Sequence, residues 1–129
     1  MEAHIVEENE LYIGRGNCIA RTSKLLECAG LFVYSETDKL GLLAHWQDKK
    51  IETSLSDALS QLSLKEPMAI IAGCGVPTEC LVEDSQPYKE VRNFLNNRKI
   101  PIKEERIGLD HSVELEVNFS NGYYNVIHN

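Results

Sequence analysis

Apolar and polar positions follow two different periods along this chain, and these periods predict its strands and helices. Short apolar runs cover residues 28–34 and 40–46, with a polar turn between them. Such a pair of runs predicts a β-hairpin inside the core. A third run, over residues 68–72, contains no polar side chain and predicts a central strand.

Apolar residues spaced three or four positions apart predict two amphipathic helices. The first helix is expected over residues 54–64, and the second over residues 85–97, where Pro87 occupies the first turn and its missing N–H costs nothing. The apolar faces consist of Leu55, Ala58, Leu59 and Leu62 in the first helix, and of Tyr88, Val91 and Leu95 in the second.

The C-terminal end carries the most specific local signal, which is that of a β-hairpin. Residues 113–119 alternate between apolar and polar side chains, as is typical of a strand with one buried face. Asn121-Gly122 then favours a two-residue turn into a last strand over residues 123–127. Shorter extended segments are predicted at residues 10–13, 18–22 and 101–107.

Together these elements predict an α+β fold. Mostly antiparallel β-sheets are expected to be layered in the manner of a β-sandwich, with the two main helices packed outside them. The chain has 129 residues, the length of one ordinary domain, and no linker rich in proline, glycine or serine divides it. We therefore expect a single domain over residues 1–129.

The charge balance and the lengths of the apolar stretches argue against two classes of partner. The chain has 13 lysine and arginine residues against 20 aspartate and glutamate residues, for a formal net charge of -7. Since nucleic-acid binders depend on cationic side chains for much of their affinity, no nucleic-acid partner is expected. No apolar stretch approaches the ~20 residues that span a bilayer, so membrane insertion is not expected either.

The N-terminus and the cysteines favour the cytoplasm as the location. The first ten residues lack the basic start and apolar run of a secretory signal. Cys18, Cys28, Cys74 and Cys80 match neither a metal knuckle nor a disulfide framework, so free thiols in a reducing compartment are expected. Export as an effector without a cleavable signal is the alternative, and a Cys74–Cys80 bridge would fit that case.

Cys28 and His45 are the reactive residues that the predicted hairpin brings together. Cys28 opens one strand and His45 closes the next, and antiparallel pairing places those two strand ends side by side. A cysteine becomes a nucleophile when an imidazole takes its proton and a third group orients the ring. Thr22 precedes Cys28 closely enough for its hydroxyl or carbonyl to orient His45. Topology alone leaves open the alternative of an inert core thiol beside a hydrogen-bonded histidine.

A resemblance to a known family favours the catalytic alternative. The segment Cys28-Ala-Gly-Leu-Phe-Val-Tyr, followed by Leu40-Gly-Leu-Leu-Ala-His45, resembles the centre of the chemoreceptor glutamine deamidase family, CheD. That family has a histidine 17 residues after its cysteine (here 45 minus 28) and a threonine six residues before it (28 minus 22). The resemblance implies that Cys28 is the nucleophile, that His45 is its base and that Thr22 orients His45. It implies neither a metal nor a cofactor.

Other parts of the chain support this resemblance, and one part departs from it. The apolar strand that ends in Gly73-Cys74-Gly75 is similar to the family's strand and small-residue loop, and the second helix follows in the same order. Leu25-Leu26-Glu27, however, stands where the family has a Gly-Ser pair before the cysteine. Glu27 is expected to raise the pKa of the neighbouring thiol. Glu7, Glu8 and Glu10 are interpreted as a solvated surface.

Several functions remain open at this point. The first is a protein-glutamine deamidase whose substrate is a chemoreceptor or another glutamine-bearing protein. The second is an inactive binding module with the same fold, because of the altered turn before Cys28. The third is an effector that deamidates a host protein, as in the cytotoxic necrotizing factor group. A thiol protease or an acyltransferase is a further enzymatic alternative.

Overall fold

A computed structural model describes residues 2–77 and 79–129 of the chain. These residues form nine strands in two mixed, mostly antiparallel sheets and two α-helices, which confirms the predicted α+β class. Within the described residues, neither helix has the length and apolar character needed to cross a membrane. The elements are β1 (His4–Val6), β2 (Leu11–Arg15), β3 (Ile19–Thr22), β4 (Ala29–Ser35), β5 (Leu40–Trp46), α1 (Glu52–Leu62), β6 (Met68–Gly73), α2 (Gln86–Asn97), β7 (Ile102–Ile107), β8 (Val113–Asn118) and β9 (Tyr123–His128).

The larger sheet has five strands, and the smaller sheet has four. The strand order is β2-β5-β4-β6-β7 in the larger sheet and β1-β3-β8-β9 in the smaller one. The antiparallel pairing of β4 with β5 confirms the predicted hairpin. Because β4 also pairs with β6, it is the central strand, and all seven of its residues are buried. The pairs β1–β3 and β6–β7 are parallel.

Both faces of the larger sheet are covered, so the described residues form three layers. Successive side chains of a strand point to opposite faces. Leu31 and Val33 of β4 pack against the two helices, whereas Phe32 and Tyr34 pack against the smaller sheet. The two helices therefore lie outside the sheets on one side, as the sequence predicts. Their buried side chains are Leu55, Ala58 and Leu59 of α1 and Val91, Phe94 and Leu95 of α2.

Helix α1 begins at Glu52, two residues before the predicted start at position 54. A 3-10 turn over Lys49–Ile51 leads directly into it. The Asp48 carboxylate caps that turn by accepting a hydrogen bond from the Lys50 N–H at 2.9 Å. Since the first turn is already capped, the helix does not need a hydroxyl cap further along the chain.

The predicted C-terminal hairpin is present, with a longer connection than a two-residue turn. Asn118 of β8 lies opposite Tyr123 of β9, so residues 119–122 form the connection. Phe119 is fully buried. Its carbonyl oxygen also accepts a hydrogen bond from the Tyr34 hydroxyl at 2.8 Å. The Gly122 N–H donates to the Asn118 carbonyl at 2.9 Å, and this bond closes a loop of four residues instead of two.

Candidate active site at the seam between the sheets

Cys28 and His45 lie together where one end of β4 meets one end of β5. His45 pairs in register with Gly30, and Cys28 immediately precedes β4. The Cys28 sulfur and a ring nitrogen of His45 lie within 4.8 Å of each other. This geometry agrees with the expectation from antiparallel pairing, while the catalytic role of the two residues stays a prediction.

The His45 ring is completely buried and is held by the smaller sheet. Its Nδ1 lies 3.3 Å from the Val6 carbonyl oxygen and 3.1 Å from the Ser23 hydroxyl oxygen. A carbonyl can only accept, so a hydrogen bond to Val6 needs the tautomer with its proton on Nδ1 and a lone pair on Nε2, whereas the Ser23 hydroxyl fits either tautomer. Within residues 2–77 and 79–129, the buried Nε2 has no hydrogen-bond partner. In the tautomer that donates to Val6, the Nε2 lone pair is therefore free of any hydrogen bond within these residues.

Thr22 is fully buried, and its hydroxyl oxygen accepts a hydrogen bond from the Leu115 N–H at 3.0 Å. The side-chain oxygen bonded to the His45 ring belongs to the next residue, Ser23. The Ser23 N–H also donates to the Val6 carbonyl at 3.0 Å, so these two residues act as one unit at Nδ1. Thr22 thus anchors the strand that leads into Ser23, and the role predicted for Thr22 stays a prediction.

The turn before β2 brings Glu8 to the same place. The Asn9 N–H donates to the His45 carbonyl at 2.8 Å, and the His45 N–H donates to the Glu10 carbonyl at 3.0 Å. These two bonds attach the turn to the end of β5. A carboxylate oxygen of Glu8 lies within 4.8 Å of the Cys28 sulfur and of the His45 nitrogen. Glu8 is exposed, as the sequence suggests, yet its carboxylate also belongs to the site.

The loop after β6 fixes the backbone around Cys28. The Cys74 N–H donates to the Cys28 carbonyl at 2.9 Å. The Gly75 N–H donates to the Leu26 carbonyl at 2.6 Å. A Cβ at Gly73 would lie 2.5 Å from the Cys28 carbonyl oxygen, and a Cβ at Gly75 would lie equally close to that of Leu26. Glycine at both positions is what allows the two backbones to approach.

The surroundings hold both reactive groups in their uncharged forms. Burial raises the pKa of the Cys28 thiol. The carboxylates of Glu8, Glu27 and Asp48 raise that pKa further, so Glu27 acts in the expected direction, with burial as the larger cause. Burial lowers the pKa of His45 below its ordinary value of 6.5, against the opposite effect of nearby carboxylates. The resting pair is therefore a thiol and a neutral imidazole.

The other cysteines differ from Cys28 in their surroundings. All four cysteines are free, so the Cys74–Cys80 bridge is not formed. Cys74 is fully buried, and burial raises the pKa of its thiol to about 12. Cys80 is exposed. Cys28 combines partial exposure with a neighbouring imidazole, and this combination makes it the candidate nucleophile.

A cavity of about 510 Å³ lies at the opposite end of β4, around Tyr34, Met68 and Gly122. Neither Cys28 nor His45 lines this cavity.

Sequence reasoning missed three residues of the site: Val6, Ser23 and Glu8. Val6 belongs to β1, which has three residues and therefore shows no periodic pattern. Its parallel pairing with β3 connects distant parts of the chain. Ser23 directly follows Thr22, the residue that was predicted to contact His45. The sequence signal for Glu8 was the cluster of glutamates directly before a strand, and such clusters are common on solvated surfaces.

Comparison with known proteins gives no family assignment for this chain. No protein-family model matches it, and no curated protein is significantly similar to it. The functional interpretation therefore depends on the geometry at Cys28 and His45 and on the sequence resemblance described above.

Proposed function

We propose that this chain is a protein-glutamine deamidase, a cysteine amidohydrolase that converts glutamine side chains of a partner protein to glutamate. One observation carries the proposal. The sulfur of the partly exposed Cys28 lies within 4.8 Å of a ring nitrogen of buried His45, whose Nδ1 contacts Val6 and whose Nε2 has no hydrogen-bond partner within the described residues. A thiol and an oriented base are the parts that covalent acyl transfer requires.

The first half of the reaction forms a thioester. Nε2 of His45 takes the proton from the Cys28 thiol while the sulfur attacks the glutamine side-chain carbonyl carbon. The tetrahedral intermediate then collapses as its C–N bond breaks. The imidazolium returns the proton to the nitrogen, which leaves as ammonia. Because both groups are neutral at rest, the proton moves during the attack, which is general-base catalysis.

The second half of the reaction releases glutamate. His45 takes a proton from a water molecule, and the hydroxide attacks the thioester carbonyl. The C–S bond breaks, and the proton returns to the Cys28 sulfur. The sum is glutamine plus water to glutamate plus ammonia, and a glutamate methyl ester would be hydrolysed by the same steps with loss of methanol.

Ser23 and Thr22 act as positioning residues in this proposal. The Ser23 hydroxyl and the Val6 carbonyl contact Nδ1 of the ring, and the proposed mechanism uses the other nitrogen, Nε2, as the base. Thr22 fixes the strand end through its hydrogen bond with Leu115. We place the substrate on the surface of another protein, in the cytoplasm or, if the chain is exported, in a host cell.

The test is a deamidation assay that uses mass spectrometry. The purified chain is incubated with a native protein extract, and glutamines converted to glutamate are mapped by peptide sequencing. We expect conversion that disappears with Cys28→Ser and slows by about 100-fold or more with His45→Gln, the usual contribution of a general base. Conversion that persists in the Cys28→Ser variant would show that the proposal is wrong.

The exposed Cys80 provides the matched control for this assay. Cys80→Ser removes a thiol of the same chemistry outside the site and should leave conversion unchanged. Circular dichroism of each variant separates a lost reaction from a lost fold. A Cys80→Ser variant as inactive as Cys28→Ser would remove the assignment of the nucleophile to Cys28.

An inactive binding module is the second candidate, and one observation favours it. Glu8 and Glu27 raise the pKa of the thiol and would also oppose the negative charge that develops on the substrate carbonyl oxygen. A module of this kind would convert no glutamine, and the Cys28→Ser variant would bind its partner as well as the unmodified chain does. Binding of the same partner by both forms, without conversion, would favour this alternative.

A further inference from the structure

We propose that Glu8, Cys28 and His45 together form a binding site for one zinc ion. Each residue offers one atom of a type that zinc binds: a carboxylate oxygen, a sulfur and an imidazole nitrogen. These three atoms all lie within 4.8 Å of one another. Three protein ligands leave the fourth tetrahedral position open to water or to another small ligand.

A second, independent observation at His45 points to a cation. The ring is completely buried, and within residues 2–77 and 79–129 its Nε2 has no hydrogen-bond partner. Buried polar atoms almost always have a partner, and a bound cation would satisfy this one. The opposite ring nitrogen contacts the Val6 carbonyl at 3.3 Å. A histidine that binds a metal characteristically donates its second N–H to such a group.

The three side chains differ in exposure in a way that suits an entering ion. Glu8 is exposed, Cys28 is partly exposed and His45 is buried, so the ligands lead inward from solvent. In a tetrahedral site, bonds of about 2.3 Å to sulfur and about 2.0 Å to nitrogen bring these two atoms to about 3.5 Å. A side-chain movement of about 1 Å therefore closes the site around zinc, while the hydrogen bonds at Nδ1 keep the ring in place.

Zinc binding changes the chemistry of the thiol. The ion displaces the thiol proton, which leaves to solvent, and the resulting thiolate bonds to the metal. Its nucleophilic electron pair and the Nε2 lone pair are then both occupied. The zinc site itself does not depend on the deamidase proposal. If that proposal holds, zinc blocks the reaction, and the metal-free chain is the active form.

Metal titration of the purified chain tests the site without any substrate. Zinc sulfate is titrated while native mass spectrometry counts the bound ions, and cobalt(II) chloride serves as a spectroscopic substitute. We expect one ion per chain and a sulfur-to-cobalt charge-transfer band. The Cys28→Ser variant should lose that band. Bound zinc should also protect Cys28 from iodoacetamide until a chelator removes the metal.

Two exposed neighbouring glutamates provide the matched pair of variants. Glu8→Gln removes a proposed ligand and should weaken zinc binding by about tenfold or more, the range seen when even an outer contact of a metal ligand is lost. Glu7→Gln makes the same change of charge next to it and should bind as the unmodified chain does. Equal affinities for these two variants, or a cobalt spectrum without a sulfur band, would overturn the zinc site. Neither result would depend on deamidase activity.

Discussion

At the scale of single residues, the uncharged state of Cys28 and His45 decides how the site can react. Burial raises the pKa of the thiol and lowers the pKa of the imidazole, so an ion pair is disfavoured at rest. Many reactive cysteines are instead thiolates already before substrate arrives. In the proposed reaction the thiol is instead deprotonated as it attacks, which makes the orientation of Nε2 the decisive feature.

The reactivity of Cys28 should therefore depend on pH in a defined direction. A raised pKa means that the thiolate, which reacts with iodoacetamide, forms at higher pH than in an ordinary cysteine. Glu27→Gln removes one of the charges that raise this pKa and should shift the inflection to lower pH. The measurement is the alkylation rate of Cys28 against pH, followed by peptide mass spectrometry in the presence of a chelator.

Glu36→Gln is the control for that shift, because Glu36 is exposed near the other end of β4. It makes the same change of net charge and should leave the Cys28 inflection where it is. The interpretation fails if both variants shift the inflection equally, or if the inflection lies below that of an ordinary thiol.

The residues of the site differ in how far the sequence could predict them. Cys28 and His45 follow from the hairpin alone, because pairing in register brings the strand ends together. The partner of Nδ1 was expected at Thr22, but the neighbouring Ser23 makes the contact. Adjacent residues of a strand point to opposite sides, and the sequence pattern does not reveal where the strand ends. The position of Glu8 depends on hydrogen bonds that join its turn to His45 in the distant strand β5, and no local pattern encodes these bonds.

At the scale of elements, the loop after β6 supports the backbone at Cys28. Gly73 and Gly16 both have positive φ, 90° and 65° respectively. Gly16→Ala meets nothing within 4 Å, so it should lose only about 1–2 kcal/mol of unfolding free energy from backbone strain. Gly73→Ala adds a clash with the Cys28 carbonyl and should cost a further ~1–3 kcal/mol. Urea unfolding measures both losses, and equal losses would contradict the proposed contact.

The turn that carries Glu8 depends on Asn9. Its φ is 59°, and its side-chain oxygen accepts hydrogen bonds from the N–H groups of Gln47 and Asp48, both at 3.2 Å. Asn9→Gly keeps the backbone conformation and loses these bonds, at a cost of about 1–2 kcal/mol. Asn9→Ala also adds strain and should be less stable than Asn9→Gly by about 1 kcal/mol. Urea unfolding of the two variants checks this, and equal stabilities would contradict it.

Elements with strong local patterns were predicted well, and the short segments predicted at residues 10–13, 18–22 and 101–107 correspond to β2, β3 and β7. The β4–β5 hairpin, both helices and the C-terminal hairpin follow from period and turn residues. Strand β1 was not predicted, because three residues cannot show a period. The start of α1 shifted because Asp48 caps a 3-10 turn that precedes it. Local hydrogen bonds of this kind are not visible in the pattern of apolar and polar positions along the sequence.

At the scale of the whole molecule, His45 joins the two sheets. It belongs to the larger sheet, and its ring is hydrogen-bonded to the Val6 carbonyl and the Ser23 hydroxyl at the edge of the smaller sheet. The α+β class and its layers followed from apolar runs that are buried on both faces. The strand order could not be predicted in this way, because an apolar pattern does not specify which strand pairs with which. The sequence-adjacent strands β2 and β3 lie in different sheets.

Protonation of His45 should therefore destabilise the whole fold. A second ring proton would sit on the buried Nε2, which has no hydrogen-bond partner within residues 2–77 and 79–129. Because the pKa is lowered in the folded chain, the unfolded chain binds more protons once the pH falls below 6.5, the ordinary value. Unfolding free energy should then decrease as the pH falls further, until the folded-state pKa is passed.

Urea unfolding at a series of pH values measures this decrease. His45→Gln cannot bind the proton and should show a smaller decrease below pH 6.5, the ordinary histidine value. His4→Gln, which changes an exposed histidine, should behave as the unmodified chain does. A decrease of the same size in all three proteins would mean that His45 is not the group responsible.

The most direct test of the central claim is to trap the acyl group on Cys28. The metal-free chain is exposed to a peptide in which an activated ester of glutamate replaces glutamine, so that the thiol displaces the alcohol and keeps the acyl group. Peptide mass spectrometry then locates and times the adduct. We predict an adduct on Cys28 that forms much faster than any on Cys80 and that forms more slowly in His45→Gln. Faster acylation of Cys80, or an unchanged rate at Cys28 in His45→Gln, would contradict the account.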